Sequence, residues 1–381
     1  MRNVCILSNH YFPIKSSCST LIRDLIKSLL KKKIKVTLIT LSGYSKKIKK
    51  IKSNNFTYVG IKTNYIRSSN NYLKALNEIF SILKLRFYLK YNVKEFYDDV
   101  IVYSPTIFWS LTLPVIKKKN VSIILRDLTP KWLLDHKIIK KFSFNFIILK
   151  FFELYLYKQS NNVYVQTPKD LNYIKKYSIK FNFKISVLYN WIELDKSINK
   201  IYSRPKISRL RFIFTGVIGL AQDYKILSNI IEFFVSRNIK PTFIFIGEGS
   251  KKESLKKLVS GYKFVFFLNE MKINKLESWI KKSDICLCTL DKKYDSDNFP
   301  GKILRYMKFN KTILVHAPNN DFLKDLIENN DLGFYSSNKS ELYNNLEKLA
   351  HNKKIIEKLG LKGYQVLEKN FSTKNIINLM I

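Results

Sequence analysis

Apolar residues fall in short continuous runs, separated by longer stretches in which apolar positions recur three and four apart. Val4–Leu7, Val36–Leu41, Val100–Tyr103, Val121–Leu125, Val163–Val165 and Ile185–Leu188 read as buried strands. Between the first two, Leu21, Leu25, Ile26, Leu29 and Leu30 carry helical spacing. Strand, helix and strand repeated in this way mean a parallel sheet wrapped by right-handed crossovers. The alternation breaks at Lys196–Ser208, a polar stretch containing Pro205. It then restarts with Arg211–Thr215, Thr242–Ile246, Phe264–Leu268, Ile285–Cys288 and Thr312–Val315. The pattern predicts an α/β chain of two domains, 1–198 and 209–360, followed by a terminal segment, 361–381.

Composition changes this picture in one respect. A chain of 381 residues with 46% hydrophobic and 25% charged residues fits an ordinary globular protein with two full cores. Its charge is unusual, with 68 Lys+Arg against 29 Asp+Glu, a net +39. Such a field favours anionic partners: nucleic acid, an anionic lipid surface or phosphorylated metabolites. A lysine-rich composition that merely fills surface positions would look the same. Cys5, Cys286 and Cys288 lie in apolar runs, where cysteine acts as a small hydrophobe. The His and Cys residues form no metal-ligand spacing, so no metal is expected. The opening Met1–Ser8 has too short an apolar core for a signal peptide, and no window of ~18 uncharged apolar residues occurs. A cytoplasmic protein is expected.

Glycine is scarce, at 11 residues, roughly half the usual ~7% share. Residues 1–200 contain only Gly43 and Gly60, whereas Gly216 and Gly219 follow one strand of the second half and Gly247 and Gly249 the next. Open α/β sheets bind ligands off the carboxyl ends of their strands, and glycine there lets main-chain N–H groups approach an anion. The run Phe214–Asp223 fits neither the dinucleotide fingerprint nor a P-loop, yet suits a diphosphate held mainly by main chain. Pro300-Gly301-Lys302 reads as a helix start able to hold an anion, with Lys302 as a mobile charge; a capped surface helix with a solvated lysine is the plainer alternative.

In the first half, Arg126-Asp127 follows a strand and so lies at a carboxyl end. Asp127 there would orient or deprotonate a hydroxyl, and a surface ion pair is the alternative. His10 holds the equivalent place after the first strand, as a second catalytic candidate or an ordinary loop residue. Two stretches, 79–91 and 137–157, mix aromatic and aliphatic residues with lysines. Helices of this kind lie in a membrane interface or form core helices with a basic outer face. No nucleic-acid-binding signature accompanies the charge, so nucleic acid is not expected as a partner.

The order of short motifs resembles glycosyltransferase family 4, and within it the branch that includes N-acetyl-L-fucosamine transferases of surface-polysaccharide synthesis. The matching residues are His10-Tyr11-Phe12-Pro13, Arg126–Pro130, Val165-Gln166-Thr167-Pro168 and Val187–Ile192 in the first half. In the second half they are Gly216–Gln222, Phe245-Ile246-Gly247-Glu248-Gly249, Phe267-Leu268-Asn269 and Asn298–Met307. The matches fall in order across nearly the whole chain.

The resemblance implies the GT-B fold, two facing Rossmann-like domains with a cleft between them, and a terminal helix that crosses back to the first. It implies a retaining transfer of a sugar, with an N-acetylated amino or deoxy sugar as the candidate, from a UDP-sugar to a lipid-linked or oligosaccharide acceptor. No metal or cofactor is implied beyond the nucleotide-sugar co-substrate. Gly216, Gly219, Gln222, Gly247, Glu248, Gly301, Lys302 and Arg305 become the donor-binding set, Arg126 lies on the acceptor side, and Asp127, His10 and Asp297 are the catalytic candidates. A peripheral position at the inner face of the plasma membrane follows. Two departures stand out: Asp297 and Arg305 occupy positions where the family usually carries two glutamates, the second of which binds ribose hydroxyls. A guanidinium accepts no hydrogen bond. Arg305 therefore contacts phosphate instead, or ribose is held elsewhere; it is also the best argument for a rival reading, a non-catalytic GT-B scaffold.

Overall fold

A computed structural model of the chain describes residues 1–14, 16–63, 71–104, 106–135, 137–194, 209–292 and 299–381, with 71–74 by backbone alone. The Lys196–Ser208 break lies outside the described residues. The chain divides into two compact units, Met1–Glu193 together with Thr373–Ile381, and Leu194–Ser372.

The first unit contains β1 (Asn3–Ser8), α1 (Ser17–Lys31), β2 (Lys35–Thr40), β3 (Lys49–Ser53), β4 (Phe56–Gly60), α2 (Asn71–Asn92), β5 (Phe96–Tyr103), β6 (Lys117–Ile124), α3 (Lys131–Asp135), α4 (Phe144–Lys158), β7 (Asn162–Val165), α5 (Pro168–Phe181) and β8 (Lys184–Val187). Its sheet runs β3-β4-β2-β1-β5-β6-β7-β8, and every pair but β3–β4 is parallel. The continuous apolar runs are strands buried on both faces, as parallel sheets require. One face is covered by α2, α4 and α5, the other by α1 and the terminal helix. Helix starts follow local chemistry: Thr167 Oγ1 accepts the Asp170 N–H at 3.1 Å, with Pro168 at the first helical position.

Sequence pattern passed over β3 and β4. The first is an exposed edge strand, Lys-Lys-Ile-Lys-Ser, whose alternation carries no apolar face. The second is only five residues long and buries Thr57 to Gly60.

The second unit contains β9 (Arg211–Thr215), α6 (Tyr224–Val235), β10 (Thr242–Ile246), α7 (Lys252–Leu258), β11 (Val265–Leu268), α8 (Ile273–Lys282), β12 (Ile285–Thr289), α9 (Lys302–Lys308), β13 (Thr312–His316), α10 (Asp321–Glu328), β14 (Gly333–Ser336), α11 (Lys339–His351), α12 (Lys353–Lys358) and α13 (Gly363–Phe371). Its parallel sheet runs β11-β10-β9-β12-β13-β14. Counted from its first strand that is the doubly-wound order 3-2-1-4-5-6, with the topological switch between β9 and β12. The first unit, once its antiparallel edge strand β3 is set aside, follows the same order with a seventh strand, β8, added at the far edge, and switches between β1 and β5. The last helix, α14 (Thr373–Met380), belongs to the first unit, where Ile376, Ile377 and Met380 pack beside Leu21 and Leu25 of α1. Among the described residues no helix is long and apolar enough to cross a membrane.

Candidate functional site

In the second unit the loops leaving β9 and β10 are fastened to each other. Gly216 N donates to Ile246 O at 2.8 Å, Ile218 N to Glu248 O at 2.9 Å and Lys251 N to Ile218 O at 2.9 Å. This contact explains one of the expected donor glycines, Gly247, and with it the nearby Gly249. Gly247 has φ +147°, and a Cβ there would lie 2.0 Å from Gly216 O; one on Gly249 would lie 2.3 Å from Ile218 O. Both are glycine because backbone meets backbone. Gly219 and Gly301 differ: a Cβ on the first would meet only the Val217 side chain, at 3.2 Å, and one on the second would meet nothing within 4 Å. Open space remains at those two positions.

Lys302, the first residue of α9, turns into this corner. Its Nζ lies 3.5 Å from the centroid of the Phe214 ring, and its Cε is 3.8 Å from the point where a Gly216 Cβ would sit. The ammonium is buried and has no hydrogen-bond partner among the described residues. Burial pushes its pKa down to about 8, and the Cys288 thiol partly opposes the shift. One turn on, the buried Tyr306 hydroxyl accepts the Thr215 N–H at 3.1 Å and lies 3.0 Å from Thr215 Oγ1. Tyr306 thus fastens α9 to the end of β9, beside the switch point.

The other expected residues take varied parts. Gln222 turns inward, its amide oxygen accepting the Gly219 N–H at 3.3 Å, and so braces the loop. Glu248 is an exposed carboxylate paired at 2.9 Å with Lys252, whose Nζ also donates to Asn269 Oδ1 at 3.1 Å. Arg305 lies half-buried on α9, one turn beyond Lys302. Asp297 lies outside the described residues.

At the carboxyl ends of the first sheet, Arg126 donates to Gln166 Oε1 and Asn190 Oδ1, and its guanidinium stands 6.0 Å from the Tyr103 ring centroid. Gln166 is itself fixed by donating to Leu188 O at 2.9 Å. Among the described residues no carboxylate pairs with Arg126, so the cation is held by neutral amides. Asp127 is exposed at the start of the next loop, and the surrounding protein raises its carboxyl above the ordinary range, Arg126 opposing the shift. The His10 N–H donates to Ser8 Oγ at 3.1 Å, and its carbonyl accepts from that hydroxyl at 3.0 Å. Between them Asn9 accepts from Trp109 Nε1 at 2.8 Å and donates to Glu78.

Sequence reasoning missed Phe214, Tyr306 and His316. Phe214 and Tyr306 look like core aromatics in any single sequence. His316 closes β13, donating from Nδ1 to Ser336 Oγ at 3.1 Å while Ser336 donates to Val315 O at 3.0 Å. Burial lowers its pKa and keeps the ring neutral.

No protein-family model and no curated protein matches the sequence. Solved structures do. The chain is similar to sucrose-phosphate synthase from Thermosynechococcus elongatus, with a TM-score of 0.70 at 12% identity, covering 100% of this chain and 97% of that one. Anabaena HepE, solved in complex with UDP and glucose, matches at 0.62 and 13% identity over 99% and 97%. WaaG, a glycosyltransferase involved in lipopolysaccharide biosynthesis, matches at 0.60 and 11% identity over 96% and 95%. These likenesses show the fold: GT-B, with a Rossmann-type α/β architecture in each unit.

Proposed function

We propose that this chain transfers a sugar from a UDP-linked donor to a lipid-linked or oligosaccharide acceptor in bacterial surface-glycan synthesis. The observation that carries the reading is the buried ammonium of Lys302, without a hydrogen-bond partner among the described residues, against the glycine loops at the switch point of the second unit. A buried charge without a counter-charge is costly. A diphosphate beside it would remove that cost and supply the site's specificity. UDP bound to Anabaena HepE, and the role of WaaG in lipopolysaccharide biosynthesis, agree with donor and pathway class.

Chemically, the bond from the anomeric carbon to the diphosphate oxygen breaks, UDP leaves and the acceptor hydroxyl oxygen bonds to the same carbon with retention. Lys302 and the loop main chain offset the charge that develops on the leaving group. Asp127, its carboxyl raised, takes or orients the hydroxyl proton, with His10 beside the same sheet end. Arg126 supplies a fixed positive charge on the acceptor side. An N-acetylated amino or deoxy sugar is the donor sugar proposed. Exposed aromatics and lysines on α2 and α4 fit peripheral attachment to an anionic membrane face, which should weaken as salt rises. The direct test is thermal unfolding with a panel of UDP-sugars. The true donor at 100 times its Kd should add about 2.7 kcal/mol of stability, and no response to any UDP-sugar removes the reading.

A second reading, a catalytically inactive GT-B scaffold in a glycan-assembly complex, is favoured by Arg305. Replacing it by glutamate separates the two. If Arg305 contributes to diphosphate binding, Arg305→Glu weakens donor binding by roughly 1.5–3 kcal/mol, about 10- to 150-fold. Calorimetry showing equal or tighter binding would favour the scaffold.

A further inference from the structure

Helix α2 is apolar on two sides. Ile82, Leu85 and Leu89 point into the first core and are almost wholly buried. Phe80, Leu83 and Phe87, on the opposite side, are 63%, 42% and 68% exposed. Apolar residues on a second side of a helix need an apolar neighbour, and none covers this outward side among the described residues. The outward residues form one wall of a broadly open groove of about 660 Å³. Ile48 and Ile61 also line it. That side is fixed independently of α2, because Gly43 N donates to Ile61 O at 2.9 Å and Lys62 N to Ser45 O at 2.7 Å. The groove is therefore a built feature between two anchored segments.

Its charges point to the occupant. Among the described residues Lys46, Lys47 and Lys84 line it and no acidic side chain does. A peptide laid there would find few partners for its main-chain N–H and C=O groups, which is costly. An alkyl chain has no such groups. We propose that this groove binds the apolar chain of a single anionic lipid, with Phe80, Leu83 and Phe87 against the chain and a phosphate held by Lys46, Lys47 and Lys84. That this lipid is the acceptor rests on the transferase reading; the binding itself does not.

Calorimetry of the full chain with decyl phosphate, below its micellar concentration, tests the site. One molecule should bind per chain, each methylene removed should weaken binding about fourfold, and inorganic phosphate alone should bind far more weakly. Leu83→Gln and Phe87→Ser, both at exposed positions, should each weaken decyl phosphate by tenfold or more. Changing the three lysines to serine should weaken decyl phosphate while leaving decanol unaffected. Affinity independent of chain length, or unchanged in Leu83→Gln and Phe87→Ser, would overturn the proposal. So would sedimentation with phosphatidylglycerol vesicles by a protein that ignores monomeric decyl phosphate, since the face would then touch a bilayer without holding a chain. Decyl phosphate binding in a protein that no UDP-sugar stabilises would retain this site and discard the transferase.

Discussion

At the carboxyl ends of the first sheet Arg126 reaches two amide oxygens, those of Gln166 and Asn190; at the corresponding ends of the second, the ammonium of Lys302 reaches none among the described residues. The first cation is fixed and partly satisfied before any ligand arrives. The second is buried against a ring face, with no hydrogen-bond acceptor among the described residues. Glycine use differs in the same sense: two of the 11 glycines lie in the first unit and nine in the second. The same strand order thus supports a side-chain framework in one unit and a main-chain framework with an unmet charge in the other. A preformed cation in a desolvated corner strengthens the binding of an anion that enters it, so recognition of the donor diphosphate should depend on the second unit far more than on the first.

The comparison breaks most directly at the glycines. Gly247→Ala would place a Cβ 2.0 Å from Gly216 O in a left-handed backbone conformation. It should destabilise the second unit by about 3–4 kcal/mol. Gly301→Ala, with nothing within 4 Å, should stay within about 0.5 kcal/mol of the parent. Denaturant unfolding decides it. Equal losses at both positions would mean that loop-on-loop contact does not explain Gly247.

The next effect is at Lys302 and has opposite signs for binding and for folding. Lys302→Met should weaken UDP-sugar binding by roughly 1.5–3 kcal/mol, about 10- to 150-fold. The free protein should nonetheless gain about 1–3 kcal/mol at pH 7, because an unpaired buried charge has gone. The folded pKa of about 8 lies below the unfolded value of 10.5, so above pH 8 the unfolded chain binds more protons at this group. Stability of the parent should therefore rise relative to Lys302→Met between pH 8 and 10.5, and the gap should close. Arg126→Met should behave differently. It leaves the Gln166 and Asn190 oxygens without their donor and should destabilise by about 1–3 kcal/mol with no change in UDP-sugar affinity. A gap at Lys302 that does not narrow with pH would show that the ammonium already has a partner.

Much of this was legible in the sequence. Buried parallel strands appear as unbroken apolar runs such as Val100–Tyr103 and Ile285–Cys288, and the glycine pairs mark the ends of β9 and β10. What stayed hidden depends on tertiary contact. No pattern distinguishes Gly247, forced by a neighbouring carbonyl, from Gly301, which is unconstrained. Phe214 as the surface under an ammonium, and Tyr306 as a bolt between α9 and β9, are ordinary core aromatics until the elements are placed. Edge strand β3 was passed over because it buries no side chain, and β4 and β14 because each is only four or five residues long and includes a glycine. Helical spacing in 79–91 left its membrane and core readings open, and the exposed Phe80 and Phe87 opposite the buried Ile82 and Leu85 show that α2 is apolar on both sides.

The smallest expected effect tests whether the framework of the second unit acts through α9. Tyr306→Phe keeps the ring and removes only the hydroxyl, leaving the buried Thr215 N–H without its acceptor, at a cost of about 1–2 kcal/mol in stability. The first unit has a counterpart, Trp109 Nε1 donating to Asn9 Oδ1 at 2.8 Å beside the end of β1. Trp109→Phe should cost about as much for the missing hydrogen bond, beyond any packing loss, and leave UDP-sugar affinity unchanged. If Tyr306 positions Lys302, its loss should also reduce donor affinity about two- to fivefold. The double variant with Lys302→Met should then bind no worse than Lys302→Met alone, because the hydroxyl acts only through the ammonium. Additive losses in that cycle would mean that Tyr306 supports the Gly216 loop directly. Unchanged affinity in Tyr306→Phe would mean that other contacts hold α9, such as the close approach of α13, where a Cβ on Gly363 would lie 2.8 Å from Met307 O.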